Sequence, residues 1–125
     1  MAEVDSILRS SEIFGGLSDA TLARLAAIGV RREVAAWTFL FRQGEPRHAC
    51  YLVLRGQVEI VKDAGDGPER LSILGSGDVA GEGAFLHSSQ HTTSAQPLGH
   101  AVVLEFDRTA ALEQMALDGK AAMEL

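Results

Sequence analysis

Between Val30 and Phe106 the chain breaks into short runs of Val, Ile, Leu and Phe, each closed by a glycine-bearing interruption, and this rhythm leaves few folds open. Apolar runs of about four to eight residues are too short for packed helices but suit antiparallel strands joined by turns. Thr38-Phe39-Leu40-Phe41 is expected as one strand, ended by the turn Gln43-Gly44-Glu45-Pro46, whose Gly and Pro would each interrupt a ladder. Tyr51-Leu52-Val53-Leu54 follows, then Gly56, then Gln57 to Lys62. In that last segment Val58 and Ile60 face one way and Gln57 and Glu59 the other, so it reads as half buried. Asp63 to Pro68 is an exposed hairpin tip and Arg70 to Leu74 its return strand. Segments around Thr92 to Gln96 and Ala101 to Phe106 close the β portion. Strands on a rhythm of about eight to twelve residues predict a mainly β fold, an antiparallel, jelly-roll-like β-roll with flanking helices.

The flanks read as helical. Val4 to Arg9 is an early turn; Ser18 can then cap a helix, with Leu17 stapled against Leu22 and Gly29 as the stop. Leu22, Leu25 and Ala26 share one face of it. At the other end Asp107 can cap a helix bearing Leu112, Met115 and Ala116 on one face, before Asp118-Gly119 breaks it. With 125 residues, one domain over 1–125 is expected: a helical lead-in (1–29), a β-roll (30–106) and a C-terminal helical segment (107–125). The last residues, Ala-Ala-Met-Glu-Leu, form helix readily and carry no cap, which suggests a domain cut from a longer protein.

Charge and composition remove several functions. A net charge of −6 opposes a grip on a nucleic-acid backbone, and Arg31-Arg32, the sole basic doublet, reads as a solvated strand end. No apolar run approaches the roughly 20 residues of a membrane span. Glu3 and Asp5 stand where a secretory leader would be basic, so a cytoplasmic protein without membrane insertion is expected. The single cysteine, Cys50, lies in an apolar stretch and reads as a buried small hydrophobe. His87 and His91 are four apart, with His48 and His100 elsewhere, but no closely spaced His cluster with a following Glu makes a metal site. Neither a nucleophile triad nor an acid–base pair is evident, so no enzyme activity and no cofactor are expected.

The densest motif is Gly75-Ser76-Gly77-Asp78-Val79-Ala80-Gly81-Glu82-Gly83-Ala84-Phe85-Leu86, a glycine-rich turn feeding a short helical segment. Two uses fit it. Backbone N–H groups of Gly83, Ala84 and Phe85 could form an anion site at a helix start, with Glu82 accepting from a sugar hydroxyl beside it. Alternatively the glycines only make a tight corner that Glu82 caps. It is neither a P-loop nor a dinucleotide fingerprint, since no Gly-Lys-Ser/Thr follows and no βαβ unit surrounds it.

Taken in order, Phe39-Leu40-Phe41-Arg42-Gln43-Gly44-Glu45, Tyr51-Leu52-Val53-Leu54-Arg55-Gly56-Gln57-Val58, Gly75-Ser76-Gly77-Asp78 and Gly81-Glu82 resemble the cyclic-nucleotide-binding domain family, across roughly Ile7 to Met115. That family includes the bacterial cAMP receptor protein and the regulatory subunits of cAMP-dependent kinase. The resemblance implies a phosphate-binding cassette around Gly81-Glu82 in which Glu82 holds the ribose hydroxyl and the backbone N–H groups of Gly83 and Ala84 hold the cyclic phosphate. It also implies an arginine on the phosphate, where this chain has His91, followed by Thr92 at a position whose hydroxyl assists. From Leu71 through Asp107 there is no Lys or Arg at all.

The implied function is a non-catalytic sensory domain whose ligand-binding residues are Gly81, Glu82, Gly83, Ala84, His91 and Thr92. It would bind cAMP or cGMP weakly if at all, and more tightly at pH 6 than at pH 8. The alternative is a regulatory or docking module with a vestigial pocket. An attached or separate effector domain and a homodimer are the implied partners.

Overall fold

The computed structural model describes residues 2–81 and 90–118. Helices α1 (Ala2–Ser10) and α2 (Asp19–Ile28) lead into strands β1 (Val30–Val34), β2 (Ala49–Arg55), β3 (Val58–Asp63), β4 (Pro68–Leu74), β5 (Val79–Ala80), β6 (Ser94–Pro97) and β7 (Ala101–Asp107), followed by helix α3 (Arg108–Ala116). The strands pair antiparallel into two sheets, ordered β1-β7-β2-β5 and β4-β3-β6. This is the expected β-roll with flanking helices.

The central strands β2 and β7 of the first sheet are covered on both faces, which is why they read as nearly unbroken apolar runs. Alternate residues of a strand point to opposite faces. Cys50, Leu52 and Leu54 of β2, with Val102, Leu104 and Phe106 of β7, pack against Leu8, Phe14, Leu22 and Leu25 of the helical lead-in. Tyr51, Val53 and Val103 turn the other way, into the roll, where they meet Val34, Phe41, Val58, Ala80 and Ala95. Cys50 is wholly buried, and burial pushes its thiol far above the ordinary range, so it behaves as a small hydrophobe.

Helix ends follow the local chemistry. The Ser18 side chain accepts from the Thr21 N–H and starts α2. Gly29 ends that helix in an extended conformation. Its missing side chain is a packing requirement, because a Cβ there would sit 2.6 Å from Leu104 Cγ. Asp107 caps α3 through the Ala110 N–H, and the helix stops at Ala116. Its core-facing residues are Ala111 and Met115, whereas Ala116, expected on that face, is exposed. Arg31 and Arg32 project from β1 and pair with Glu3 and Glu105, as a solvated strand face should.

Two strand expectations need correction. Thr38 to Phe41 is not a strand, and only Phe41 bridges, to Ala95. Trp37 adopts a left-handed backbone (φ 65) and donates its N–H to the Pro97 carbonyl, which breaks the regular ladder this segment would make beside β6. Glu59, expected on a solvated face, is 8% exposed. Arg70 and Gln96 lie over it and donate to its two carboxylate oxygens at 2.7 and 3.2 Å. Those bonds, Arg70's first, hold its carboxyl below the usual carboxylate range.

Candidate functional site

The turn Gln43-Gly44-Glu45-Pro46 and the segment 90–92 zip together. Gly44 N–H donates to the His91 carbonyl and His91 N–H to the Glu45 carbonyl, both at 2.8 Å, and Pro46 bridges Gln90. This pairing fixes His91 at the mouth of the roll. Its imidazole lies flat on Phe41, ring centres 3.9 Å apart and planes 14° apart, and Phe41 stacks in turn on Tyr51 at 6.1 Å. Tyr51 closes the stack by donating its hydroxyl to the Leu40 carbonyl.

Gly81 completes the corner. Its φ of +78 is in the left-handed region, and a Cβ there would stand 3.2 Å from Phe41 Cε2 and 3.4 Å from His91 Cε1. Glycine is therefore required both for the backbone and for the close approach to the ring stack.

Gly81 and His91 border a cavity of about 360 Å³ between the two sheets. That is within the roughly 300–1,000 Å³ typical of small-molecule sites. Ile60 and Leu74 of the second sheet and Val79 and Ala80 of β5 make its apolar floor. Ser72, Thr92 and Thr93 add hydroxyls, and Arg47 adds a cation. Of the expected site residues, Gly81, His91 and Thr92 thus meet around one space; Glu82, Gly83 and Ala84 lie outside the described residues, as does His87.

His91 is 5% exposed, and its pKa is lowered. Burial is the first cause, the positive charge of Arg47 the second; Glu45 opposes and His48 adds slightly to the lowering. At neutral pH the ring is a neutral stacking surface with one N–H to offer.

Sequence reading missed Arg47, Ser72 and Thr93. The signal for Arg47 was available. Tyr51 and Val53 point into the roll and Ala49 packs there too, so the same two-residue alternation carried back reaches Arg47. Among the described residues no group of three or more His, Cys, Asp or Glu side chains is placed to hold a metal ion, and no helix is long and apolar enough to cross a membrane.

Residues 31–118 match the family model of the cyclic nucleotide-binding domain. The chain belongs to that family. A CRP-like cAMP-activated global transcriptional regulator of Mycobacterium tuberculosis is 30% identical over 108 residues, covering 86% of this chain and 48% of the relative. The chain thus spans about half the length of that curated relative. The regulatory domain of Toxoplasma gondii PKA with cAMP superposes with a TM-score of 0.88 at 23% identity, over 98% of this chain and 46% of that one. The sensor domain of the transcriptional regulator DNR from Pseudomonas aeruginosa gives 0.83 at 24% identity, over 96% and 81%. These superpositions establish the shared β-roll of cyclic nucleotide-binding domains.

Proposed function

We propose that this cyclic nucleotide-binding domain is a non-catalytic sensor that admits cAMP or cGMP to the cavity bounded by Gly81, His91 and Thr92 and binds it weakly. The observation that carries the reading is the state of His91, buried on Phe41 and held neutral, at the position where the family places a phosphate-binding arginine. Hydrogen bonds to charged groups contribute about 1.5–3 kcal/mol, and a bidentate guanidinium on phosphate sits at or above the top of that range. Its absence lowers affinity by about one to two decades.

The pH dependence follows from linkage. A bound phosphate favours the imidazolium, so the His91 pKa rises on binding from its lowered value, and affinity grows as pH falls through the bound-state pKa. Binding is tighter at pH 6 than at pH 8. The ligand's readout passes to an attached or separate effector domain; if no cyclic nucleotide binds, the domain acts instead as a docking module for protein partners.

Calorimetric titration of wild type and His91→Arg with cAMP and cGMP tests this. Weak wild-type binding that strengthens at pH 6, with tighter binding by His91→Arg, is the expected result. Tight, pH-independent wild-type binding would refute weak affinity, and no response in either protein would favour the docking module.

A further inference from the structure

We propose that Arg47 is the principal cation of an anion subsite in this cavity, so that a phosphate group is held mainly from the segment preceding β2, with His91 in a secondary role. The inference rests on the cavity being the ligand site. Its own support is the placement of Arg47, which no motif assigns.

Arg47 borders the space shared by Gly81, His91 and Thr92, and its Nε is fully buried. The backbone around it is tied on both sides: Pro46 bridges Gln90, the Glu45 carbonyl accepts from His91, and the His48 carbonyl accepts from Arg108 N–H at 2.8 Å. A side chain rooted in a pinned segment loses little further freedom on binding. Among the described residues that border the cavity there is no carboxylate, while Ser72, Thr92 and Thr93 bring hydroxyl donors. Among the described residues, a cation beside hydroxyl donors and an apolar floor fits an anionic group attached to an apolar ring system. The depressed His91 pKa agrees independently, because Arg47's positive charge is felt at the imidazole.

The division of labour is then different from a cassette arginine. Arg47 supplies charge. His91 supplies a flat wall against Phe41 and one N–H beside the cation. A lysine at position 47 would keep the charge but lose the planar fork that pairs two phosphate oxygens at once.

The test compares wild type, Arg47→Gln and Arg47→Lys at pH 7.5, using calorimetry with cAMP and NMR titration with inorganic phosphate. NMR also follows the His91 imidazole through its own pH titration without ligand. The expected result is at least a tenfold loss of affinity in Arg47→Gln and a smaller loss in Arg47→Lys. His91 should titrate at higher pH in Arg47→Gln and be unchanged in Arg47→Lys, where the charge remains beside Glu45 and His48. The His91 titration also reports whether each variant keeps its fold, and Arg47→Lys decides the matter should Arg47→Gln not fold.

If wild type binds cAMP and neither substitution weakens it, Arg47 is not the anion's cation, although the domain remains a nucleotide sensor. If inorganic phosphate binds in an Arg47-dependent way and cAMP does not, the anion subsite stands while the cyclic-nucleotide reading fails. Absence of both ligands overturns both.

Discussion

Asp118 lies just past the C-terminal end of α3, yet it is 1% exposed. Its Oδ1 accepts from the Ser18 N–H at 2.9 Å, the Ser18 hydroxyl at 2.5 Å and the Thr21 hydroxyl at 2.6 Å, joining residues about a hundred positions apart. The C-terminal segment is thereby clamped onto the cap of α2, with Arg24 to Gln114 as a neighbouring link at 2.8 Å. Asp118→Ala removes a buried acceptor that serves three donors. Each charge-assisted bond contributes about 1.5–3 kcal/mol, but the sum overstates the loss. Ser18 and Thr21 already lie 3.1 Å apart through their hydroxyls and can re-pair, and half-buried Ser18 can recruit water. The expected destabilisation is about 3 kcal/mol, the worth of one or two such bonds. Against a typical total of roughly 5–15 kcal/mol that is a large fraction. Asp118→Asn can present its carbonyl to the same three donors but loses the charge that strengthens each bond, so about 2 kcal/mol is expected. Urea unfolding followed by circular dichroism measures both, with the m-value unchanged if the fold is kept. A loss under about 1 kcal/mol for Asp118→Ala would mean that water already screens the clamp, as at an exposed ion pair.

Two further outcomes probe the candidate cavity. Gly81→Ala places a methyl 3.2 Å from Phe41 Cε2 in a left-handed backbone. Backbone strain alone costs about 1–2 kcal/mol, so chemical denaturation should show at least that loss, together with weaker cAMP binding as the Phe41–His91 stack shifts. The lowered pKa of His91 also sets a stability trend for the unliganded protein. The unfolded chain takes up a proton near the ordinary value of about 6.5 and the folded one only below it, so stability is complete above that pH and falls as pH drops toward the folded pKa. Thermal midpoints from pH 7.5 to 5.5 should decline more steeply in wild type than in His91→Gln, and equal slopes would show that His91 is not titrating in this window.

Much of this domain can be read along the chain because the evidence is local. Ser18 and Asp107 cap helices wherever the fold puts them, since the capped N–H groups are three residues away. Glycines at the turn after Phe41 and at Gly81 answer to backbone conformation, which a sequence states directly. The order of glycine-anchored motifs was enough to indicate the family. What periodicity could not show was contact between distant elements. Thr38 to Phe41 has the composition of a strand, and only the pairing of Leu40 and Phe41 with Ala95, with Trp37 turned left-handed, decides otherwise. Glu59 reads as solvated until Arg70 and Gln96 are seen to cover it.

The candidate site divides along the same line. Sequence by itself singled out Gly81, Glu82, Gly83, Ala84, His91 and Thr92 as the residues to examine, and determined that the stretch from Leu71 to Asp107 brings no Lys or Arg to them. Tertiary structure alone decided that His91 is stacked and buried, with its pKa lowered, and that Arg47, forty-four positions earlier in the chain, borders the same cavity. The physical reason is that charge acts through space. A cation's influence on a pocket depends on its distance and on the dielectric around it, and neither is written in its position along the chain.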